Sequence, residues 1–176
     1  MLINILIALG VLFVVFVIIV AMRPNDFRVS RSATLPAPAA VVFEHVNDLH
    51  KWEAWSPWAR LDPNAKGTYE GPPAGVGAIF RWAGNKNIGE GSMTITESKP
   101  NELVRFRLEF LKPFKATNTA EFTFQAQGDQ TVVTWSMFGK NNFMAKAVGL
   151  FMDCDKMVGS QFEQGFANLN AVLKSS

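Results

Sequence analysis

The chain has 176 residues, is 48% hydrophobic and 18% charged, and carries a formal net charge of +2. That length fits one globular domain plus an extra apolar segment, and so small a charge, with no Lys/Arg cluster interleaved with aromatic side chains, excludes a nucleic-acid surface. The single cysteine, Cys154, excludes an internal disulfide or a paired-cysteine metal or redox centre, and Asp153 and Asp155 on either side oppose formation of its thiolate.

Met1 to Met22 has no charged side chain and only Asn4 as a strongly polar interruption. As a helix this run is about 33 Å long, against a hydrocarbon core of about 30 Å. No Lys or Arg precedes it, and Ile19-Val20-Ala21 is a weak cleavage site, so residues 1–22 are expected to be a retained single-pass membrane anchor rather than a signal peptide. Arg23, Arg28 and Arg31 follow closely, and the positive-inside bias places the C-terminal domain in the cytoplasm. Residues 23–26 form a short linker, which sets a domain over 27–176 almost against the bilayer.

Phe27 to Leu35 alternates Phe27, Val29, Ala33 and Leu35 against Arg28, Ser30, Ser32 and Thr34, the pattern of a half-buried strand, with Arg31 falling on the apolar face. Pro36 and Pro38 stop it. Pro38 suits the first turn of a helix, where an N–H has no intrahelical acceptor. Val42, Phe43, Val46 and Leu49 then share one helix face, with Glu44, Asn47 and Asp48 on others. Next come Trp52, Trp55 and Trp58, three large rings along one side of a helical turn, before Pro57 and Pro63 break the repeat. Each indole buries on the order of 150–250 Å² and needs a partner for its N–H, so the cluster is either the plug of a core or the lining of a cavity.

Gly71, Pro72, Pro73, Gly75 and Gly77 make a turn-rich segment. Because Gly75-Val76-Gly77 precedes a strand, with no helix N-terminus behind it to hold an anion, these are turn glycines and not a phosphate loop. Ala78 to Trp82 reads as a strand with Phe80 and Trp82 on one face, followed by a hairpin at Gly84 to Lys86. Met93 and Ile95 oppose Ser92, Thr94 and Thr96; Phe106, Leu108 and Phe110 oppose Arg105, Arg107 and Glu109. Phe122 and Phe124 share a face, as do Val133, Trp135 and Met137, with a tight turn at Gly128-Asp129. Short links between successive strands imply an antiparallel meander. From about Asn142 the period changes from 2 to 3.6. Met144, Val148 and Phe151 form one short stripe, and Val158, Phe162, Phe166, Leu169 and Leu173 a longer one, which Asp153 or Asp155 can cap. A helix of about 20 residues spans about 30 Å, enough to lie along a whole sheet.

That order of elements comes with WEAWSPW from Trp52, the Asp62-Pro63 pair, YEGPPAGVGAIFRWAG from Tyr69, GEGSMTI from Gly89 and QFEQGFANLNAVL from Gln161. Together they resemble the SRPBCC superfamily, also called START-like or Bet v 1-like. Within it the resemblance is to the polyketide cyclase/dehydrase group, including bacterial members with an N-terminal membrane helix, and it covers about Phe27 to Lys174. It implies an α+β helix-grip fold, in which a curved antiparallel sheet wraps a long C-terminal helix around a deep apolar cavity that holds lipids, sterols, polyketides or other hydrophobic molecules. Carried onto this chain, the cavity wall draws on Trp52, Trp55, Trp58, Tyr69, Phe80, Trp82, Phe106, Phe110, Phe122, Trp135, Phe162 and Phe166.

Catalytic groups are few. His45 and His50 lie five apart, a poor spacing for one helix face, and neither an HxxxH nor an HExxH pair exists, so no metal is expected. No Gly-x-Ser-x-Gly is present. Glu90, between two glycines and beside the aromatic segment, is the candidate acid or base if desolvation raises its pKa, and a solvated hairpin carboxylate otherwise. Arg81 and Arg105 flank cavity-facing positions, but the alternation points them outward. Three readings follow: a membrane-anchored binding protein for a hydrophobic small molecule or lipid, without a cofactor; a cyclase/dehydrase- or hydrolase-type enzyme using Glu90, Tyr69 or a histidine; and a membrane-tethered interaction module with a self-filled core.

Overall fold

The computed structural model describes residues 1–175. Helix α1 (Leu2–Met22) is apolar apart from Asn4 and exposed along its length except at Phe16, Val17 and Val20. Strand β1 (Asp26–Leu35) leads into α2 (Ala39–Asn47), which takes Pro38 as its N-cap. A 3-10 turn over Leu49–Lys51, the short helix α3 (Trp52–Trp55) and a second 3-10 turn over Pro57–Arg60 carry the three tryptophans. Then come β2 (Lys66–Glu70), β3 (Ile79–Ala83), β4 (Glu90–Lys99), β5 (Leu103–Lys112), β6 (Ala116–Gln127) and β7 (Gln130–Lys140), followed by α4 (Phe143–Val148) and α5 (Cys154–Ser175).

The strands form one seven-stranded sheet in the order β1-β7-β6-β5-β4-β3-β2. Every neighbouring pair is antiparallel: β2 to β7 are a meander, and β1 closes onto β7. Because side chains alternate across a strand, the register carries single rows across one face. Phe106 stands beside Ala120, and Ala120 beside Met137; Val104 stands beside Phe122, and Phe122 beside Trp135. This face closes on α5, whose Gly159, Phe162, Gly165, Phe166 and Leu169 are buried. It is the helix-grip α+β fold.

Arg31, on the apolar side of β1, ties the sheet to helix α5 through two partly exposed ion pairs. Its Nε donates to Glu163 at 2.9 Å and its guanidinium to Asp155 at 2.9 Å, and those carboxylates raise its pKa well above the ordinary arginine value. Arg31 in turn holds Asp155 below the usual carboxylate range. The guanidinium occupies the space that a Cβ at Gly159 would need, so the helix approaches β1 closely only because position 159 lacks a side chain. Asp153 caps α5: its Oδ1 accepts from the Lys156 N–H at 3.0 Å.

Candidate functional site

The aromatic residues expected at a cavity wall fall into two groups. Trp52, Trp55, Phe106, Phe122, Trp135, Phe162 and Phe166 are all buried. Trp135 lies at their centre, stacked on Phe162 at 4.1 Å and on Phe122 at 4.6 Å, with the edges of Trp52, Trp55, half-buried Trp58 and Phe166 around it. The indoles find their N–H partners in α2: Trp52 Nε1 donates to the Val46 carbonyl at 2.9 Å and Trp55 Nε1 to that of His45 at 3.1 Å. Asn168 of α5 donates to the Trp55 carbonyl at 3.1 Å. These groups therefore pin the helical segment, the sheet and α5 to one another.

Tyr69, Phe80, Trp82 and Phe110 make a second, more open row on β2, β3 and β5. Tyr69 is exposed and the other three are half-buried, with ring centroids 4.9 to 6.3 Å apart. Trp82 donates its indole N–H to the Ile88 carbonyl at 3.1 Å. Tyr69 also stacks on His50 at 4.0 Å and borders a small pocket of about 260 Å³ between Leu49 and the Pro72-Pro73 turn. Partial desolvation of its ring-packed side, then the charges of Glu53 and Asp48, raise the phenol's pKa.

The larger opening lies elsewhere on the same concave face. A cleft of about 950 Å³ runs between the β1-β7-β6 end of the sheet and the α4–α5 segment. Its wall is Phe27, Val29, Met137 and Ala116 to Asn118; its roof is Leu150, Phe151, Met157 and Val158. Arg23 and Pro24, directly after α1, are at its edge, together with Lys115, Lys140, Lys146, Asp26 and Asp153. None of the twelve expected wall residues borders this cleft. The register nevertheless places Ala116 beside Phe110 and Asn118 beside Leu108, so the open aromatic row continues the cleft wall. Phe27, Met137 and Val158 were on the inward side of the sequence alternation. The roof has a weaker sequence signal: Phe151 ends the short Met144-Val148-Phe151 stripe, and Met144 and Val148 lie outside the cleft lining.

The candidate acid Glu90 sits at the start of β4 and pairs with Lys112 at 2.7 Å, raising the pKa of that lysine. Arg81 and Arg105 point away from the core, Arg81 onto Glu70 and Arg105 onto Glu97 and Glu121. His45 is half-buried on α2, and its Nδ1 is buried without a hydrogen-bond partner among the described residues. Burial, then the charge of Lys51, pushes its pKa below the ordinary 6.5, against the opposite pull of Glu44 and Asp48. The folded chain therefore prefers neutral His45. The unfolded chain takes up this proton near pH 6.5 and the folded chain only below it, so this contribution to stability is complete above that pH and lost as pH falls toward the folded-state value. The urea midpoint of the full chain in detergent is expected to drop from about pH 7 to about pH 5.5, and His45→Gln to reduce that drop. An unchanged slope in the variant would remove His45 as its source.

Residues 26–174 match the family model described as polyketide cyclase / dehydrase and lipid transport. No curated protein matches the sequence. Among solved structures, a Nitrosospira multiformis protein is 20% identical with a TM-score of 0.58, covering 82% of this chain and 94% of its own. A Mesorhizobium loti protein is 15% identical with a TM-score of 0.63, covering 85% and 98%. Ara h 8.0201 is 10% identical with a TM-score of 0.59, covering 86% and 100%. At these identities the likeness is one of fold.

Proposed function

We propose that this chain, which belongs to the polyketide cyclase / dehydrase and lipid transport family, is a membrane-anchored binding protein whose cleft takes up one hydrophobic small molecule or lipid. Residues 1–22 are the anchor, 23–26 the linker and 27–176 the binding domain. Arg23, Arg28 and Arg31, close behind the span, favour the cytoplasmic side for that domain. The observation that carries the reading is the position and size of the cleft. About 950 Å³ is at the upper end of ordinary small-molecule sites, its wall and roof are largely apolar, and its edge is formed by the residues that follow α1. Of the expected aromatic wall, the open row Tyr69, Phe80, Trp82 and Phe110 is the part with room to meet a ligand.

The test is native mass spectrometry, with extraction of the bound species, on the full chain purified from its own host. One defined hydrophobic molecule per chain is expected, and Met137→Trp, which fills the cleft from its wall, is expected to lose it. Equal occupancy in both proteins, or an empty wild type, would overturn the reading. The second reading is an interaction module with a self-filled core, favoured by the close stacking around Trp135; it expects an empty chain whose stability no hydrophobic additive raises.

A further inference from the structure

Residues 143–152, Phe-Met-Ala-Lys-Ala-Val-Gly-Leu-Phe-Met, interrupt their apolar character with a single lysine. A soluble surface segment would bury one side of such a run. Here Phe151 is 81% exposed and Met144 60%, with Phe143, Val148 and Met152 also exposed, and Phe114, next to the cleft-lining Lys115 in the β5–β6 turn, is 70% exposed. Contiguous apolar exposure of this kind marks a contact surface.

The depth of this face is set by α1. Helix α4 packs against α1, whose covered residues are Phe16, Val17 and Val20. Those positions lie about 3 to 9 Å from the end of the helix at Met22. With 21 residues, α1 is about 31 Å long and needs nearly its whole length to cross a hydrocarbon core of about 30 Å. A helix packed on its last turns therefore sits at the boundary between acyl chains and headgroups, the depth at which interfacial apolar faces insert. Charge fits the same placement. Arg23, Lys115, Lys140 and Lys146 surround the cleft, and none has an ion-pair partner among the described residues. Of the two carboxylates there, Asp153 is engaged by the Lys156 N–H.

We propose that α4, residues 149–152 and the turn around Phe114 form a membrane-docking face that holds the cleft mouth against the headgroups of anionic phospholipids. It rests on the reading of α1 as a membrane span, and it deepens the proposed function, because a ligand then passes between bilayer and cleft without crossing water.

Cys154, the only cysteine, is exposed and lines the cleft, so it can carry a fluorophore in the full chain. The chain is reconstituted in phosphatidylcholine vesicles, with or without a minority of phosphatidylglycerol, that contain lipids bearing a shallow nitroxide quencher. A control places the label at the β6–β7 turn, Asp129→Cys in Cys154→Ser. The expected result is a chain that resists carbonate extraction, with the probe at 154 quenched several-fold more than that at 129 and more still with phosphatidylglycerol. Lys115→Glu/Lys140→Glu/Lys146→Glu is expected to abolish the phosphatidylglycerol increment, and Met144→Ser/Phe151→Ser to lower quenching several-fold with α1 still inserted. Extraction by carbonate would overturn both the anchor and the docking face. An inserted chain whose probe at 154 is quenched no more than that at 129 would overturn the docking face alone. So would serine variants that leave quenching unchanged but lose a co-purifying protein, which would assign the face to that partner.

Discussion

Trp135→Ala is expected to cost about 3–5 kcal/mol of folding stability, in the range for emptying a packed aromatic site. The residue is 2% exposed and stacked by two rings, Phe162 of α5 at 4.1 Å and Phe122 of β6 at 4.6 Å. The space it leaves cannot close easily. Its neighbours Trp52 and Trp55 are held by hydrogen bonds to α2, and α5 is held by Arg31 and Asn168. Trp82→Ala should cost much less, about 1–2 kcal/mol, because the ring is half-buried and loses mainly partial apolar cover and one hydrogen bond to Ile88. Denaturant unfolding of the full chain in mild detergent, followed by near-UV circular dichroism, measures both. Equal losses would mean that the open row is packed as tightly as the core and has no room for a ligand. A binding protein adds a second signature: saturating hydrophobic ligand should stabilise the wild type in proportion to its occupancy.

The contrast between these two tryptophans also shows how far the sequence could be read. Period-2 alternation identifies inward faces, so Phe106, Phe122, Trp135 and Phe27 are legible as one side of a sheet. It is silent on whether a neighbouring ring or empty space lies above each of them. That depends on where α3 and α5 come to rest, and hence on Gly159 and Gly165, which have no side chain and leave no mark on an apolar stripe. Gly165 is a close contact: a Cβ there would stand 2.8 Å from the Trp135 ring. Strand β2 shows a different limit. Lys66-Gly67-Thr68-Tyr69-Glu70 is exposed throughout and is a strand because it pairs with β3, so it carries no alternation to detect. Arg31 was legible as an arginine on an apolar face but not explicable, because its partners Asp155 and Glu163 are more than a hundred residues away on α5.

Gly89→Ala is expected to destabilise the chain by about 3 kcal/mol, combining left-handed backbone strain with overpacking. Gly89 has φ +65° and closes the β3–β4 hairpin, its N–H donating to Asn85 at 2.8 Å and its carbonyl accepting from Gly84 at 2.9 Å. A Cβ there would overlap the backbone carbonyl of Lys112, which belongs to β5 and cannot swing aside as a side chain could. Glu90→Gln, one position on, removes only a solvent-screened pair with Lys112 and should change stability far less. The two variants separate the structural and chemical readings of this Gly-Glu-Gly stretch. An enzyme using Glu90 requires Glu90→Gln to abolish turnover with ligand affinity nearly intact, whereas a binding protein shows no turnover in either form and little change in affinity. Gly89→Asn refines the structural half, because asparagine tolerates positive φ but still brings a Cβ. If Asn restores full stability, backbone conformation alone demanded the glycine. If Asn is as damaging as Ala, the demand comes from the approach of β5, whose far end carries Leu111 and leads into the Phe114 turn at the mouth of the cleft.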